Sequence, residues 1–140
     1  GFRSMPMRPW FNCPPPPRPL TEYSGQWYRP AEAGWGLSVD QSPTNVVFAA
    51  CYVYDAAGYP TWYTIQGGQW TDATTWAGTV YRTSGPPFFG AAFDPARVTV
   101  ATAGQAALDF AQRPGEEGLA TLTYTADGTQ GTKRITRLPF

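Results

Sequence analysis

Residues 121–136, TLTYTADGTQGTKRIT, alternate small threonines with larger side chains, break at Ala126-Asp127-Gly128-Thr129, and resume. Period-2 alternation puts successive side chains on opposite faces of a strand. An Asp-Gly pair between two such runs is a strong short-range signal for a tight hairpin. The stretch predicts two antiparallel strands, Leu119–Thr125 and Thr132–Leu138. In the second, Ile135 shares a face with Lys133 and Arg137. If Ile135 points inward, both cations do too and need partners, for which Glu32 and Asp40 are the candidates.

The same pattern extends upstream. Further strands are predicted at Gly25–Tyr28, Trp35–Gln41, Val46–Tyr54, Thr61–Gln66, Thr75–Arg82 and Ala106–Ala111. DAAGYP (55–60) reads as a turn, with Asp55 at its start and Gly58 where positive φ is easy. SGPPFFGAAFDPARV (84–98) reads as a long loop pinned by Phe88, Phe89 and Phe93. Within it Asp94 caps a short helical turn that starts at Pro95. In Val46–Tyr54 both faces are apolar, which predicts a strand covered on both sides or a central one. The expected fold is all-β, with about eight antiparallel strands in a meander barrel or a sandwich.

The first twenty residues differ. Six prolines fall between Arg8 and Leu20, four of them consecutive. They exclude helix and central strand and favour a polyproline II path of roughly 40 Å for residues 8–20. The apolar residues Phe2, Met5, Met7, Trp10 and Phe11 are unusual for a solvated linker. The chain thus divides into an extended arm, 1–20, and a β domain, 21–140.

Of 140 residues 14% are charged, and the formal net charge is zero. No basic field exists to attract nucleic acid, and no apolar run is long enough for a membrane helix, so nucleic acid and membrane insertion are both unexpected. There is no histidine, which removes the commonest general base and metal ligand. Two separated cysteines make no zinc site. The carboxylates Glu32, Asp40, Asp55, Asp72, Asp94 and Asp109 fall mostly at turns, where they serve as caps. We therefore expect no catalytic residues, no metal, no cofactor, and no enzyme activity. Abundant Tyr, Trp, Thr and Gly with a single lysine predict an exported protein, extracellular, at the cell surface or periplasmic.

The aromatics remain. Trp27 and Trp35 read as core plugs on neighbouring strands, with Tyr28 nearer the surface. Trp35, Tyr54, Trp62, Trp70 and Trp76 are candidates for an exposed ligand surface, although large rings also supply most of the cohesion a small β domain needs. Glu32, Lys133 and Arg137 form either a polar pocket or a structural ion pair. Cys13 and Cys51 pair within the chain, pair between chains, or stay free.

Taken in order, GQWYRPAEAGWGLSVDQ, FAACYVYDAAGYPTWY, GTVYRTSGPPF, FDP and TKRITR resemble an uncharacterised secreted proteobacterial β-domain family, found alone or appended to extracellular enzymes. The likeness spans Ser24 to Arg137. It implies export, a β fold and a non-catalytic role. The family usually carries a bulky aromatic where this chain has Cys51, and the proline arm is not part of the resemblance. That departure favours a Cys13–Cys51 disulfide, whose loop of about 38 residues would add roughly 3–4 kcal/mol if closed within one chain. GQWY also resembles the first strand of avidin- and lipocalin-type barrels. Two functions follow as expectations. One is self-association, with the arm docking on a neighbouring subunit of an extracellular, filament-like assembly. The other is a monomeric module for a glycan or small ligand, with the arm folded on its own domain.

Overall fold

The computed structural model describes residues 17–139. Eight strands follow one another: β1 (Gly25–Tyr28), β2 (Gly36–Gln41), β3 (Val47–Tyr54), β4 (Pro60–Trp70), β5 (Thr75–Ser84), β6 (Thr99–Asp109), β7 (Leu119–Ala126) and β8 (Thr129–Arg137). Each pairs antiparallel with the next, and β1 pairs with β8, so the meander closes into a barrel. Closure leaves each strand one interior and one exterior face.

The turn chemistry works as the sequence indicated. Asp127 (φ 50) and Gly128 (φ 82) both take positive φ in the β7–β8 turn, as a two-residue hairpin of this twist requires. The Asp55 carboxylate accepts from the amides of Ala57 and Tyr59, both at 2.9 Å. Asp94 accepts from the Ala96 amide at 3.0 Å and opens a 3-10 turn, Pro95–Arg97.

Two strands are longer than their patterns suggest. β4 continues past Gln66 through Gly67 and Gly68, where its register against β5 shifts. Gly67 has φ 66, and a Cβ on Gly68 would lie 2.0 Å from the Ala77 carbonyl oxygen. The glycines that look like a stop form a bulge and a close backbone approach. β6 begins seven residues before Ala106, at Thr99.

The interior is filled by Trp27, Leu37, Val39, Val47, Ala49, Ile65, Trp76, Val80, Leu108, Leu122 and Ile135, all buried. One end is closed by rings. Tyr23 stacks on Phe110 with centroids 4.1 Å apart and planes 6° apart, and Trp27 and Trp70 tilt against Phe110 at 5.3 and 6.2 Å. The indole N–H groups are satisfied: Trp27 donates to the Tyr23 carbonyl at 3.1 Å and Trp70 to that of Asn45 at 2.9 Å. Buried Trp needs such partners.

Of the two alternatives for β3, the central one holds, since β3 pairs with both β2 and β4; it is not covered on both sides, because Val47 and Ala49 face in while Phe48, Tyr52 and Tyr54 are exposed. A narrow barrel already filled from seven other strands takes the smaller set. The 84–98 loop is not pinned either. Phe88, Phe89 and Phe93 are 70%, 88% and 46% exposed and pack only loosely on one another, Phe88 on Phe89 edge-on at 5.1 Å.

Candidate functional site

The end of the barrel opposite the ring cluster carries the Glu32 and Asp127 clusters. After β1, Pro30 starts a 3-10 turn, Pro30–Glu32, with the fixed φ that such a first position favours. The turn swings Glu32 over the barrel mouth. There the Lys133 ammonium, on the interior face of β8, donates to both carboxylate oxygens at 3.0 and 3.2 Å. The Trp35 indole N–H donates to the same carboxylate at 3.1 Å. Arg29 adds a looser contact at 3.6 Å. The hydrogen bond from Lys133, then that from Trp35, hold the Glu32 carboxyl below its ordinary value.

A second cluster stands at the same end. Asp127, in the β7–β8 turn, accepts from the Tyr63 hydroxyl at 2.8 Å and pairs with the Arg82 guanidinium. That acceptance, followed by burial, raises the Tyr63 phenol above its usual range. The two clusters fix β1, β4, β5, β7 and β8 to one another around the mouth. The bonds from Lys133 and Arg82 are charge-assisted, and both carboxylates, Glu32 and Asp127, carry a cation.

Outside the wall, the registers place Tyr52 opposite Trp62 and Tyr54 opposite Pro60. Tyr52, Tyr54 and Trp62 are 53%, 58% and 51% exposed. They border a shallow cleft of about 210 Å³ with Gly34, Val53 and Thr61. Rings two positions apart on one strand and directly across on the next make a near-flat apolar strip.

At the ring-closed end a larger groove, about 590 Å³, is lined by Leu20, Tyr23, Trp27, Phe110, Gln112 and Arg137, among others. The Leu20 amide donates to the Ala73 carbonyl at 2.9 Å. The chain therefore enters the barrel at this end.

The residues singled out from sequence sort as follows. Glu32 and Lys133 do meet. Arg137 does not join them: it lies at the other end of β8, over the Trp27 ring at 4.9 Å, because strand alternation keeps it on their face but four residues further along. Asp40 is exposed on the outside. Tyr54 and Trp62 lie on the surface. Trp70 and Trp76 do not; they are paired directly across β4 and β5 and buried inside. Trp35 is half-buried and packs on the core. Phe2, Met5, Met7, Trp10, Phe11 and Cys13 lie outside the described residues.

The expected disulfide is corrected from the Cys51 side, where the thiol is free. Cys51 sits on the interior face of β3, between Leu37 and Tyr63 in the registers. Its side chain is turned into the barrel and packs against the core, away from the outer surface. Burial pushes the Cys51 thiol up to about 11, so it behaves as a small core residue.

Tyr52 and Tyr63 belong to the aromatic set the sequence offers for a platform or pocket, whereas Arg82 and Asp127 were missed as site residues. Alternation within β3 put Tyr52 with Tyr54, which was a usable signal. The Tyr63–Asp127–Arg82 contact joins three strands and has no local signature. Comparison of the chain with protein-family models, curated proteins and solved structures gave no match.

Proposed function

We propose that this chain is an exported, non-catalytic assembly protein, in which the proline arm of one copy docks on the barrel of the next. The observation that carries the reading is the uncovered apolar surface at the end with the Glu32 and Asp127 clusters, where Phe88, Phe89, Phe93, Val98 and Val100 are all exposed. Exposed apolar patches of this kind mark interaction sites. The arm leaves from the opposite end, beside Leu20. A contact between opposite ends of two copies is heterologous and propagates rather than closing on itself. The test is light scattering against concentration for the full chain and for one lacking residues 1–16. Concentration-dependent growth only in the full chain is the expected result; identical monomers refute the reading.

One observation favours a second reading. The strip formed by Tyr52, Tyr54 and Trp62 exposes three rings along one shallow cleft, a combination suited to the C–H face of a sugar. This would make the barrel a glycan-binding module. A glycan array followed by titration of tryptophan fluorescence tests it, and the signal should vanish in Trp62→Ala.

A further inference from the structure

The top of β6 has an open edge. On one side β6 pairs with β5 along its whole length, from Ser84↔Thr99 to Thr75↔Asp109. On the other side its ladder with β7 begins only at Gly104↔Ala126. The Asp127 amide extends it by one bond, to the Ala103 carbonyl at 2.9 Å. Above that, among the described residues, no backbone group pairs with the outer side of Thr99–Thr102, and all four residues are exposed. Opposite Val80 and Tyr81 the partners are Gly104 and Thr102, so Ala103 is bulged. A bulge bends its strand, here between the part of β6 that pairs with β7 and the part that does not. The overhang is about 13 Å long at strand rise.

Natural edges are guarded by lysine, proline or inward charge. This one reads Thr-Val-Ala-Thr, uncharged and β-prone, with Val100 61% exposed. The loop bearing Phe88, Phe89 and Phe93 stands at the same end.

We propose that Thr99–Thr102 is the acceptor for an added strand, and that its occupant is Trp10–Cys13 of a second copy. The inference rests on the assembly reading above and names the surface used. Trp10–Cys13 is bounded by Pro9 and Pro14, which cannot donate to a ladder. Its strand-competent length is therefore that of the overhang. Alternation puts Trp10 and Phe11 on opposite faces, so one ring lies on the Val100 side whichever way the segment runs. Backbone bonds supply affinity and the ring supplies selectivity, as in other strand additions.

Reach and the assembly reading together point to a neighbour. From Leu20 back to Trp10–Cys13 an extended arm covers roughly 20–30 Å, and it starts at the far end of the barrel. From Asp109 to Thr102 β6 runs roughly 23 Å along the strand, so the segment comes level with its own overhang only at full extension. A copy stacked end to end brings its overhang to the arm.

The test uses full chains. Phe11→Pro disables the donor segment. Val100→Pro and Ala101→Pro, made separately, remove the two successive amides of the edge, one facing β5 and one facing out. The outward one should raise the concentration for half-assembly by roughly tenfold or more. Phe11→Pro mixed with that edge variant should give dimers that stop at two, since one intact donor meets one intact acceptor. Amide hydrogen exchange on wild type, which needs no variant to fold, should show protection at Thr99–Thr102 on assembly. Assembly that depends on the arm but leaves these amides unprotected and both edge variants unaffected overturns the inference and spares the assembly reading. Wild type that stays monomeric defeats both. Protection of Thr99–Thr102 in a monomer assigns the edge to the chain's own arm and overturns the proposed partner.

Discussion

Lys133 and Glu32 stand 101 positions apart in the chain and meet at the barrel mouth, the ammonium bonding both carboxylate oxygens at 3.0 and 3.2 Å. The pair ties the first connection of the barrel to its last strand. It also holds Trp35, through the indole N–H, against the core.

This contact has a pH signature. The folded-state pKa of Glu32 is depressed by Lys133 and Trp35. Its stabilising contribution is present above the unfolded carboxylate value, about 4.3, and is lost as pH falls through the lower folded value. We expect Trp35 emission to red-shift over that acid range. In Lys133→Met the shift should move to higher pH. Fluorescence-monitored acid titration of wild type and variant checks this.

Cys51 titrates in the other direction. Its folded pKa is about 11, against about 8.5 for a free thiol. Above about 8.5 the unfolded chain ionises at this position while the folded one does not. Stability from this site is therefore full below that pH and falls as pH rises toward 11. In Cys13→Ser at pH 8 an aromatic disulfide reagent should modify native Cys51 far more slowly than the urea-unfolded chain, which a stopped-flow thiol assay measures.

Trp76 is 1% exposed, and a Cβ on Gly78 would lie 2.5 Å from its ring. Trp76→Ala should cost roughly 3–5 kcal/mol through the lost ring and the cavity it leaves. Gly78→Ala should cost roughly 1–3 kcal/mol, because a rigid buried indole cannot move aside. Urea denaturation gives both values, and a Gly78→Ala barrel as stable as wild type would contradict the packing described here.

Tyr52 and Trp62 are half exposed and directly opposite. Trp62→Ala should lower stability by only about 0.5–1 kcal/mol, the worth of one cross-strand aromatic pair. A loss as large as that of Trp76→Ala would show that the ring is structural rather than available to a ligand.

Much of the fold was legible locally. Asp127-Gly128 and Asp55–Pro60 announce their turns, and alternation in 119–125 and 132–138 groups the side chains into faces; that Leu122 rather than Leu119, and Ile135, point inside came from the structure. What failed were the stretches where glycine has two meanings. Gly67-Gly68 and Gly104 look like breaks, yet each lets the backbone of one strand approach another: a Cβ on Gly104 would lie 1.9 Å from the Thr125 carbonyl oxygen. Whether a glycine ends a strand or admits a neighbour depends on the neighbour. The candidate site was half legible. The face shared by Lys133 and Ile135 called for a carboxylate, and Glu32 was one of two choices. Trp70 and Trp76 were indistinguishable from Trp62 by residue type.

By itself the sequence determined the strand-and-turn order, the sign of the turn dihedrals and the scarcity of charge, because these depend on neighbours one to four positions away. Only the tertiary structure decided which rings fill the barrel, that Cys51 lies within its wall, and that β6 outruns β7. Those outcomes follow from closure: the ring of strands has a fixed interior volume and a fixed register, so whatever does not fit inside is left on a face or an edge.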